Sequence, residues 1–413
     1  MNLLFHKFKK NLLILIIMLT CLFNLTGCYD AHGIEDLAYA TAIGLDVSDN
    51  NTLSLTLQFS IPSSNSDSES SQSKKTDIVT IPCSSINSGI SLINSYISKQ
   101  VNLSHCKVII LSEELCKNHI STYLDTLSNH IEIRPDCKII ISKCLAEDFI
   151  KNSSPSIETL TARYYEIALK SNEYTGYTTS TNFSDFIGNI NNTFSQGSAI
   201  LGGLTSENYE QNTNYPKNKQ DNSYTANETP IQNSKGVETF GTAVFYNDYI
   251  VGELTGLETI CHLMINNKLK NCTLSIPNPL TSNSTIDLQI SSDKSPKIDV
   301  DIINGTPFIS ISLYLTAYGL SLDQFTDYTS IDNINMINKE AKSYLENTIT
   351  SYLYKTSKIL NSDIDGFGNK ALKHYTTWNE WINSNWLSNY KNAFFNVNVN
   401  ISTISGFTLN KSP

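Results

Sequence analysis

Basic residues are scarce in this chain, and no run of them follows its N-terminal end. The 29 lysines and arginines are outnumbered by 39 aspartates and glutamates, which gives a formal net charge of −10. Nucleic-acid binding and electrostatic adhesion to anionic lipids both require clustered lysine and arginine. The composition therefore argues against nucleic acid as a partner and against membrane attachment by charge.

The sequence also lacks the short motifs of common enzymes and metal sites. It contains no H-E-x-x-H, no C-x-x-C, no phosphate-binding G-x-x-x-x-G-K and no G-x-S-x-G nucleophile turn. No two of its seven histidines stand at metal-ligand spacing, so a lone residue such as His262 is interpreted as a surface or core residue. We therefore predict no enzyme activity, no catalytic residue, no metal ion and no cofactor.

One acidic segment resembles the beginning of a calcium-binding loop. Residues 363–366 read Asp-Ile-Asp-Gly, but an EF-hand loop requires a bidentate glutamate at its twelfth position, where this chain has His374. We therefore interpret the segment as a helix end and turn, with the carboxylates of Asp363 and Asp365 exposed to solvent.

Adjacent acids and clustered tryptophans have ordinary structural explanations. Glu113 and Glu114 do not face each other across a cleft, so we interpret them as the start of a helix, where the dipole favours negative charge. Trp378, Trp381 and Trp386 are the three tryptophans of the chain. They could line an aromatic ligand site, but packing in a core is the favoured interpretation because such rings bury large areas.

The chain contains nine cysteines, of which Cys21 and Cys28 belong to its N-terminal region. The others show no spacing typical of a disulfide scaffold or a metal site. Cys106 and Cys137 each begin an apolar run typical of a strand, and we interpret them as buried free thiols. One disulfide remains possible.

Residues 1–27 have the pattern of a secretory signal that ends at a lipid-attachment site. A basic stretch precedes an apolar run at 12–25, and Gly27 and Cys28 complete a bacterial lipobox. The run is shorter than the roughly 20 residues of a spanning helix. We predict cleavage after Gly27 and diacylglyceryl and N-acyl groups on Cys28, which anchor the chain outside the cytoplasmic membrane. The alternative is a short anchor helix that is never cleaved.

The region 28–204 combines strand and helix patterns. Alternating apolar residues at 53–59 predict a hairpin with one buried face, and the serine-rich stretch 62–76 predicts a flexible loop. Short apolar strands at 108–111 and 137–142 lie between amphipathic helices. This region is therefore predicted to be an α/β or α+β unit, divided into two subdomains.

A polar stretch separates this region from a second one. Residues 205–235 are rich in Asn, Gln, Ser and Thr, and we predict a linker or disordered insertion that buries almost nothing. In the region 236–413, an Asn-Gly pair at 304–305 predicts a hairpin, spacing at 334–356 predicts a long helix, and alternation at 395–401 predicts a final strand. The second region is predicted to be an antiparallel sheet covered by long helices.

The order of several motifs resembles the Ger(x)C family, the lipoprotein C subunits of spore germinant receptors. The chain departs from the family pattern at 31–33, where a charged stretch is usual. The motifs that carry the resemblance, apart from Trp378 and Trp386, are GCYD at 27–30, IEDLA at 34–38, AIGLD at 42–46, VIILSEEL at 108–115, YLD at 123–125, EIR at 132–134, GTAVF at 241–245, VGEL at 251–254, GLET at 256–259 and DIDGFG at 363–368.

The resemblance implies a multi-subdomain α+β fold, with mixed and antiparallel sheets each covered by helices. It also implies a non-enzymatic subunit on the outer face of the spore inner membrane. There the chain would work with a membrane-spanning A subunit and a transporter-like B subunit, coupling nutrient detection to ion and dipicolinate release. The alternative is a solute-binding lipoprotein of an uptake or sensing system, which would require two similar α/β lobes around a ligand cleft.

Overall fold

The computed structural model describes residues 2–23, 33–48, 52–61, 76–153, 161–205, 222–231, 236–320 and 330–404. Its first helix, α1 (Asn2–Phe23), lies within the predicted signal segment. None of the helices in these ranges combines the length and apolar character needed to cross a membrane. Gly27 and Cys28 lie outside the described residues, so cleavage and lipidation stay predictions.

Strands from the first part of the described chain form one mixed sheet. They are β1 (Leu37–Val47), β2 (Leu53–Ser60), β3 (Thr76–Cys83), β4 (Gln100–Asn102), β5 (Val108–Ser112), β6 (Lys138–Ser142), β7 (Ser198–Leu204), β8 (Val237–Tyr246) and β9 (Tyr249–Leu254). Their order is β3-β2-β1-β5-β6-β7-β8-β9, with β4 beside β1. The central strands β1, β5, β6 and β7 are parallel, and the outer pairs are antiparallel.

Helices cover both faces of this sheet, which is why β5 and β6 carry buried apolar residues on both faces. The helices of this region are α2 (Ile86–Tyr96), α3 (Glu113–Cys116), α4 (Ser121–Ser128), α5 (Ala146–Asn152), α6 (Thr161–Ala168), α7 (Asn172–Thr175) and α8 (Phe183–Ile190). Ile109 and Leu111 of β5 share one core with residues of α2, α4 and α8. Val108 and Ile110 share the opposite core with residues of α5, with Tyr165 of α6 and with Leu169 just after α6.

The antiparallel pairing of β1 with β2 confirms the predicted hairpin strands, but the prediction of a single buried face is wrong. Leu55 and Leu57 are buried on one side, and Thr56 and Gln58 are buried on the other. The Gln58 side-chain oxygen accepts a hydrogen bond from the hydroxyl of Tyr165 at 3.0 Å. Polar residues can therefore occupy a buried face here because a distant helix supplies their partners.

A second sheet contains β10 (Cys272–Pro277), β11 (Thr285–Ile303), β12 (Thr306–Gly319) and β13 (Phe394–Ile404), in that order. The predicted Asn-Gly hairpin is confirmed, since Asn304 and Gly305 both have positive φ between β11 and β12. The prediction of a purely antiparallel sheet is wrong, because β13 pairs with β12 in parallel. A long helical crossover connects β12 to β13. Such a connection carries the chain back to the end of the sheet where β12 began, so the next strand runs parallel to β12.

The crossover begins with the long predicted helix, α10 (Ile331–Tyr354), which packs its apolar stripe on the second sheet. Side chains of α10 also occupy the free edge of β13: the main-chain N–H of Val399 donates to Glu346, and that of Thr403 donates to Asn338, both at 2.9 Å. The other helices of this region are α9 (Gly256–Ile265), α11 (Gly368–Ala371), α12 (Trp378–Ser384) and α13 (Trp386–Asn389).

The second predicted region begins at residue 236. In the structure, β8 and β9 belong to the first sheet, so the division between the two sheets falls after Leu254. The described part of the predicted linker, residues 222–231, is packed against this sheet. Tyr224 and Ala226 are buried, and the N–H of Ala226 donates to the carbonyl of Phe240 at 2.9 Å. The prediction that this stretch buries almost nothing is therefore wrong for residues 222–231.

Candidate functional site

The segment 362–368, called the joint segment below, lies where the two sheets meet. It follows a π-helical stretch, Lys355–Ile359, at the end of α10, and it leads into α11. The hydroxyl of Ser362 donates to the carbonyl of Phe245 in β8, and the N–H of Gln196 donates to the carbonyl of Asp363 at 2.9 Å. Main-chain groups of the first sheet region are thus bonded directly to a segment that follows α10.

Asp363 is fully buried in the joint segment, so the prediction that it is exposed to solvent is wrong. Its carboxylate accepts from the N–H of Phe367 at 3.0 Å, from the N–H of Gly368 at 2.8 Å and from Nε1 of Trp386 at 2.8 Å. Burial raises the pKa of Asp363 from its ordinary 3.8 to about 7, while the three N–H donors act in the opposite direction.

Asp365 is the second acid of the joint segment, and its side chain is also inaccessible to solvent. It accepts from the hydroxyl of Tyr352 and from the amide of Asn266, each at 2.8 Å. Nδ1 of His262 lies 2.8 Å from the same carboxylate. His262 is therefore a buried core residue, and it connects α9 to the joint segment. Burial also raises the pKa of Tyr352 well above its ordinary value.

Two glycines permit the close contacts of the joint segment. Gly366 has a φ of +69°, a conformation that residues with a Cβ rarely adopt. A Cβ at Gly368 would collide with the carbonyl oxygen of Phe194 and would lie 2.6 Å from Nε1 of Trp386. Gly366 and Gly368 therefore let the main chain pass close to the first sheet region while the carboxylate of Asp363 accepts its hydrogen bonds.

Two of the three tryptophans complete the joint, as the core-packing interpretation predicted. Trp381 and Trp386 are buried, and their ring centroids are 6.0 Å apart in a stacked arrangement. Nε1 of Trp381 donates to the hydroxyl of Thr193 at 2.8 Å, across the boundary between the two halves. The core-packing interpretation is wrong for Trp378, whose side chain lies at the surface and is 58% exposed.

A small polar cavity of about 130 Å³ borders the joint, and its lining includes His262, Asp365 and Ser195. The hydroxyl of Ser195 is already bonded to neighbouring asparagines. Within the described ranges, no three His, Cys, Asp or Glu side chains gather closely enough to hold a metal ion. The oxygens of Asp363 are engaged by N–H donors, so this carboxylate is arranged to fix the main chain.

Three other acids act at the N-terminal ends of helices, and two of them were singled out in the sequence. Glu113 and Glu114 form the first turn of α3, which confirms their interpretation. Asp46 accepts from the N–H groups of Ala146 and Glu147, at 2.7 and 3.0 Å, and thereby caps α5. The sequence patterns do not predict this contact, and the signal that points to it is an acid near the end of an apolar strand.

Comparisons with known proteins agree on one group of relatives. The family model described as "Spore germination protein N-terminal domain" matches residues 30–206, and the model described as "Spore germination B3/ GerAC like, C-terminal" matches 240–406. Spore germination protein KC of Bacillus subtilis (strain 168) is 23% identical over 152 residues, which are 35% of this chain and 37% of that protein. The alignment thus spans less than two thirds of that relative. The crystal structure of the GerBC protein aligns with 90% of this chain and 100% of that chain, at a TM-score of 0.47 and 16% identity.

Proposed function

The chain belongs to the Ger(x)C family of spore germination proteins, and we propose that it is a non-enzymatic lipoprotein subunit of a germinant receptor, needed for nutrient-triggered germination. The observation that carries this proposal is the match of two germination-protein models, in order, to most of the chain. Their ranges also support two germination-protein regions at 28–204 and 236–413.

The proposed location is the outer face of the spore inner membrane, with the chain held there by lipid on Cys28. The basic start, the apolar run at 12–25 and the lipobox ending at Cys28 support this location. Two acyl chains hold a protein stably at a bilayer, whereas one chain gives only marginal binding. The proposed partners are a membrane-spanning A subunit and a transporter-like B subunit.

The geometry of the joint supports a non-enzymatic role. Asp363 and Asp365 are the acids of the segment that resembles the start of a calcium loop, and each is occupied by hydrogen bonds that connect parts of the fold. The alternative of a solute-binding lipoprotein would require two similar lobes. The sheets of the described chain differ in strand number and in order, which speaks against that alternative.

Affinity purification from spore membranes tests the proposed complex. The full chain would carry a C-terminal tag, and the membranes would be solubilised in mild detergent before capture. We expect a polytopic membrane subunit and a transporter-like subunit to co-purify, and we expect a deletion strain to lose germination with nutrients while retaining it with a non-nutrient trigger. Capture of the chain alone, together with normal nutrient germination of the deletion strain, would contradict the proposal.

Substitution Cys28→Ala tests the lipid anchor separately. We expect a clickable palmitate analogue to label the wild-type chain and not the variant, and we expect the variant to leave the membrane fraction while staying folded. Cys21→Ala is the matched control, because Cys21 lies in the segment predicted to be removed and its loss leaves the lipobox intact. Labelling that persists in Cys28→Ala would show that the lipid is attached elsewhere.

A further inference from the structure

Two buried cysteines lie side by side in the first sheet region. The sulfur of Cys106 is 3.7 Å from the sulfur of Cys137, and each residue is 2% exposed. Because 31 positions separate them in the sequence, the fold and not the local chain brings them together. The seven cysteines from Cys83 to Cys272 are all free thiols, which confirms the interpretation of Cys106 and Cys137 as buried thiols.

The main chain holds the two cysteines in place at the start of neighbouring parallel strands. Val108 of β5 pairs with Lys138 of β6 at the start of the two strands. Cys137 immediately precedes Lys138, and Cys106 lies two residues before Val108. The N–H of Lys138 donates to the carbonyl of Lys107 at 2.9 Å, and the carbonyl of Cys137 accepts from the N–H of Phe183 at 2.7 Å. The closeness of the sulfurs is therefore a consequence of strand pairing.

A cavity of about 400 Å³ borders the pair. Its lining includes both cysteines, Lys107, Lys138 and Tyr165. The volume is sufficient for a compact disulfide molecule, and the sulfurs need to approach by less than 2 Å to reach the bond length of about 2.05 Å. Rotation of the two short side chains about χ1 is the motion that this approach requires.

We propose that Cys106 and Cys137 form a reversible intramolecular disulfide, with a low-molecular-weight disulfide as the oxidant. One cysteine thiolate attacks the reagent disulfide, forms a mixed disulfide and releases one reagent thiol. The second cysteine then attacks the protein sulfur of that mixed disulfide, forms the Cys106–Cys137 bond and releases the second reagent thiol. The two protein thiols are oxidised, the reagent is reduced to two thiols, and each cysteine loses one proton.

The surroundings of the two sulfurs favour sulfur chemistry over metal binding and also set its pH dependence. Among the described residues, the two sulfurs have no third His, Cys, Asp or Glu beside them that would complete a metal site. The hydrogen bond with Cys106 and burial raise the pKa of the Cys137 thiol well above its ordinary value, and the nearby charge of Lys107 opposes them only in part. The reaction is therefore expected to be slow near neutral pH and faster at higher pH, since the thiolate is the attacking species.

The proposal does not depend on the function proposed above, although an extracytoplasmic location would supply a compartment in which disulfides persist. The purified full chain would be incubated with cystamine at pH 8, alkylated under denaturing conditions and digested with trypsin. We expect a linked pair of peptides 100–107 and 118–138, because cleavage after Lys107, Lys117 and Lys138 separates Cys106 and Cys137 from Cys116.

Thermal unfolding supplies a second readout. We expect the oxidised chain to unfold about 5–10 °C above the reduced chain, because the bond closes a loop of roughly 30 residues. The shift is measured within each variant, so any loss of stability from the substitution itself cancels. Cys137→Ala should abolish the shift, and Cys116→Ala, which removes another buried thiol, should retain it.

Each outcome of this experiment decides the proposal, whatever the membrane complex proves to be. A linked Cys106–Cys137 peptide pair together with the thermal shift supports it. An unstructured cysteine peptide in the same tube shows when the reagent has had time to react. If Cys106 and Cys137 are both still freely alkylated once that peptide has reacted fully, the proposal is overturned. A bond from either residue to a different cysteine, or a lower unfolding temperature on oxidation, would overturn it as well.

Discussion

We expect acidification to stabilise the protein relative to an Asp363→Asn variant. Two physical effects oppose each other at this residue: burial favours the neutral acid, and three N–H donors favour the carboxylate. Burial is the larger effect and raises the pKa of Asp363 from 3.8 to about 7. The folded state therefore binds this proton more tightly than the unfolded state, and the resulting stabilisation is complete below pH 3.8 and is lost as pH rises through 7.

The size of this effect follows from proton linkage. Between pH 8 and pH 5, a shift from 3.8 to about 7 changes the free energy of unfolding by about 2–3 kcal/mol. The variant has no proton to bind at this position, so its free energy of unfolding lacks this contribution. At pH 8 the variant is also expected to be less stable by about 1–3 kcal/mol, because its amide nitrogen faces a buried N–H that has lost its acceptor.

Equilibrium urea unfolding, followed by tryptophan fluorescence, measures the effect at the joint. The chain has three tryptophans, and Nε1 of Trp386 donates to Asp363, so the signal comes from the region of the substitution. The quantity to compare is the difference between wild type and variant at each pH, in which other titrating groups cancel. Asp125→Asn, at an exposed position of α4, is the control. A wild type that loses stability relative to Asp363→Asn on acidification would show that the three donors outweigh burial.

Two further substitutions test the packing of the joint and of the predicted linker. Gly368→Ala places a Cβ against the carbonyl of Phe194 and should lower the free energy of unfolding by about 1–3 kcal/mol. Gly188→Ala is the control and should be neutral or stabilising, because a Cβ there meets nothing within 4 Å. Equal urea midpoints for the two variants would contradict the close approach. Tyr224→Ala should lower the free energy of unfolding by about 3 kcal/mol, because Tyr224 is buried. If the thermal midpoint of this variant lies within about 1 °C of wild type, residues 222–231 do not contribute to the core.

Local patterns predicted the elements that depend on neighbours in the sequence. Ile337, Ala341 and Leu345 of α10 are buried as their spacing indicated, and the Asn-Gly pair at 304–305 forms the expected turn. These signals work because helix periodicity and turn conformation depend on a few adjacent residues. The sequence also supports an α+β fold, which the two helix-covered sheets confirm.

Long-range contacts decided the features that the patterns missed. Asp363 looked exposed because a short acidic segment with glycine is typical of a surface turn, and its donor Trp386 lies far along the chain. The parallel pairing of β12 with β13 depends on the length of the helical crossover, whereas alternation shows only which face of a strand is apolar. The packing of residues 222–231 likewise depends on β8, which polar composition cannot reveal.

The occupied N–H groups along β13 limit how this molecule can be extended by another. An incoming peptide that added itself as a further strand would have to displace Glu346 and Asn338 before it could bond to Val399 or Thr403. Growth of the sheet from molecule to molecule is therefore opposed on this flank, where side chains of α10 already bond these two N–H groups. Any neighbour that docks here must recognise the side chains of α10 and β13.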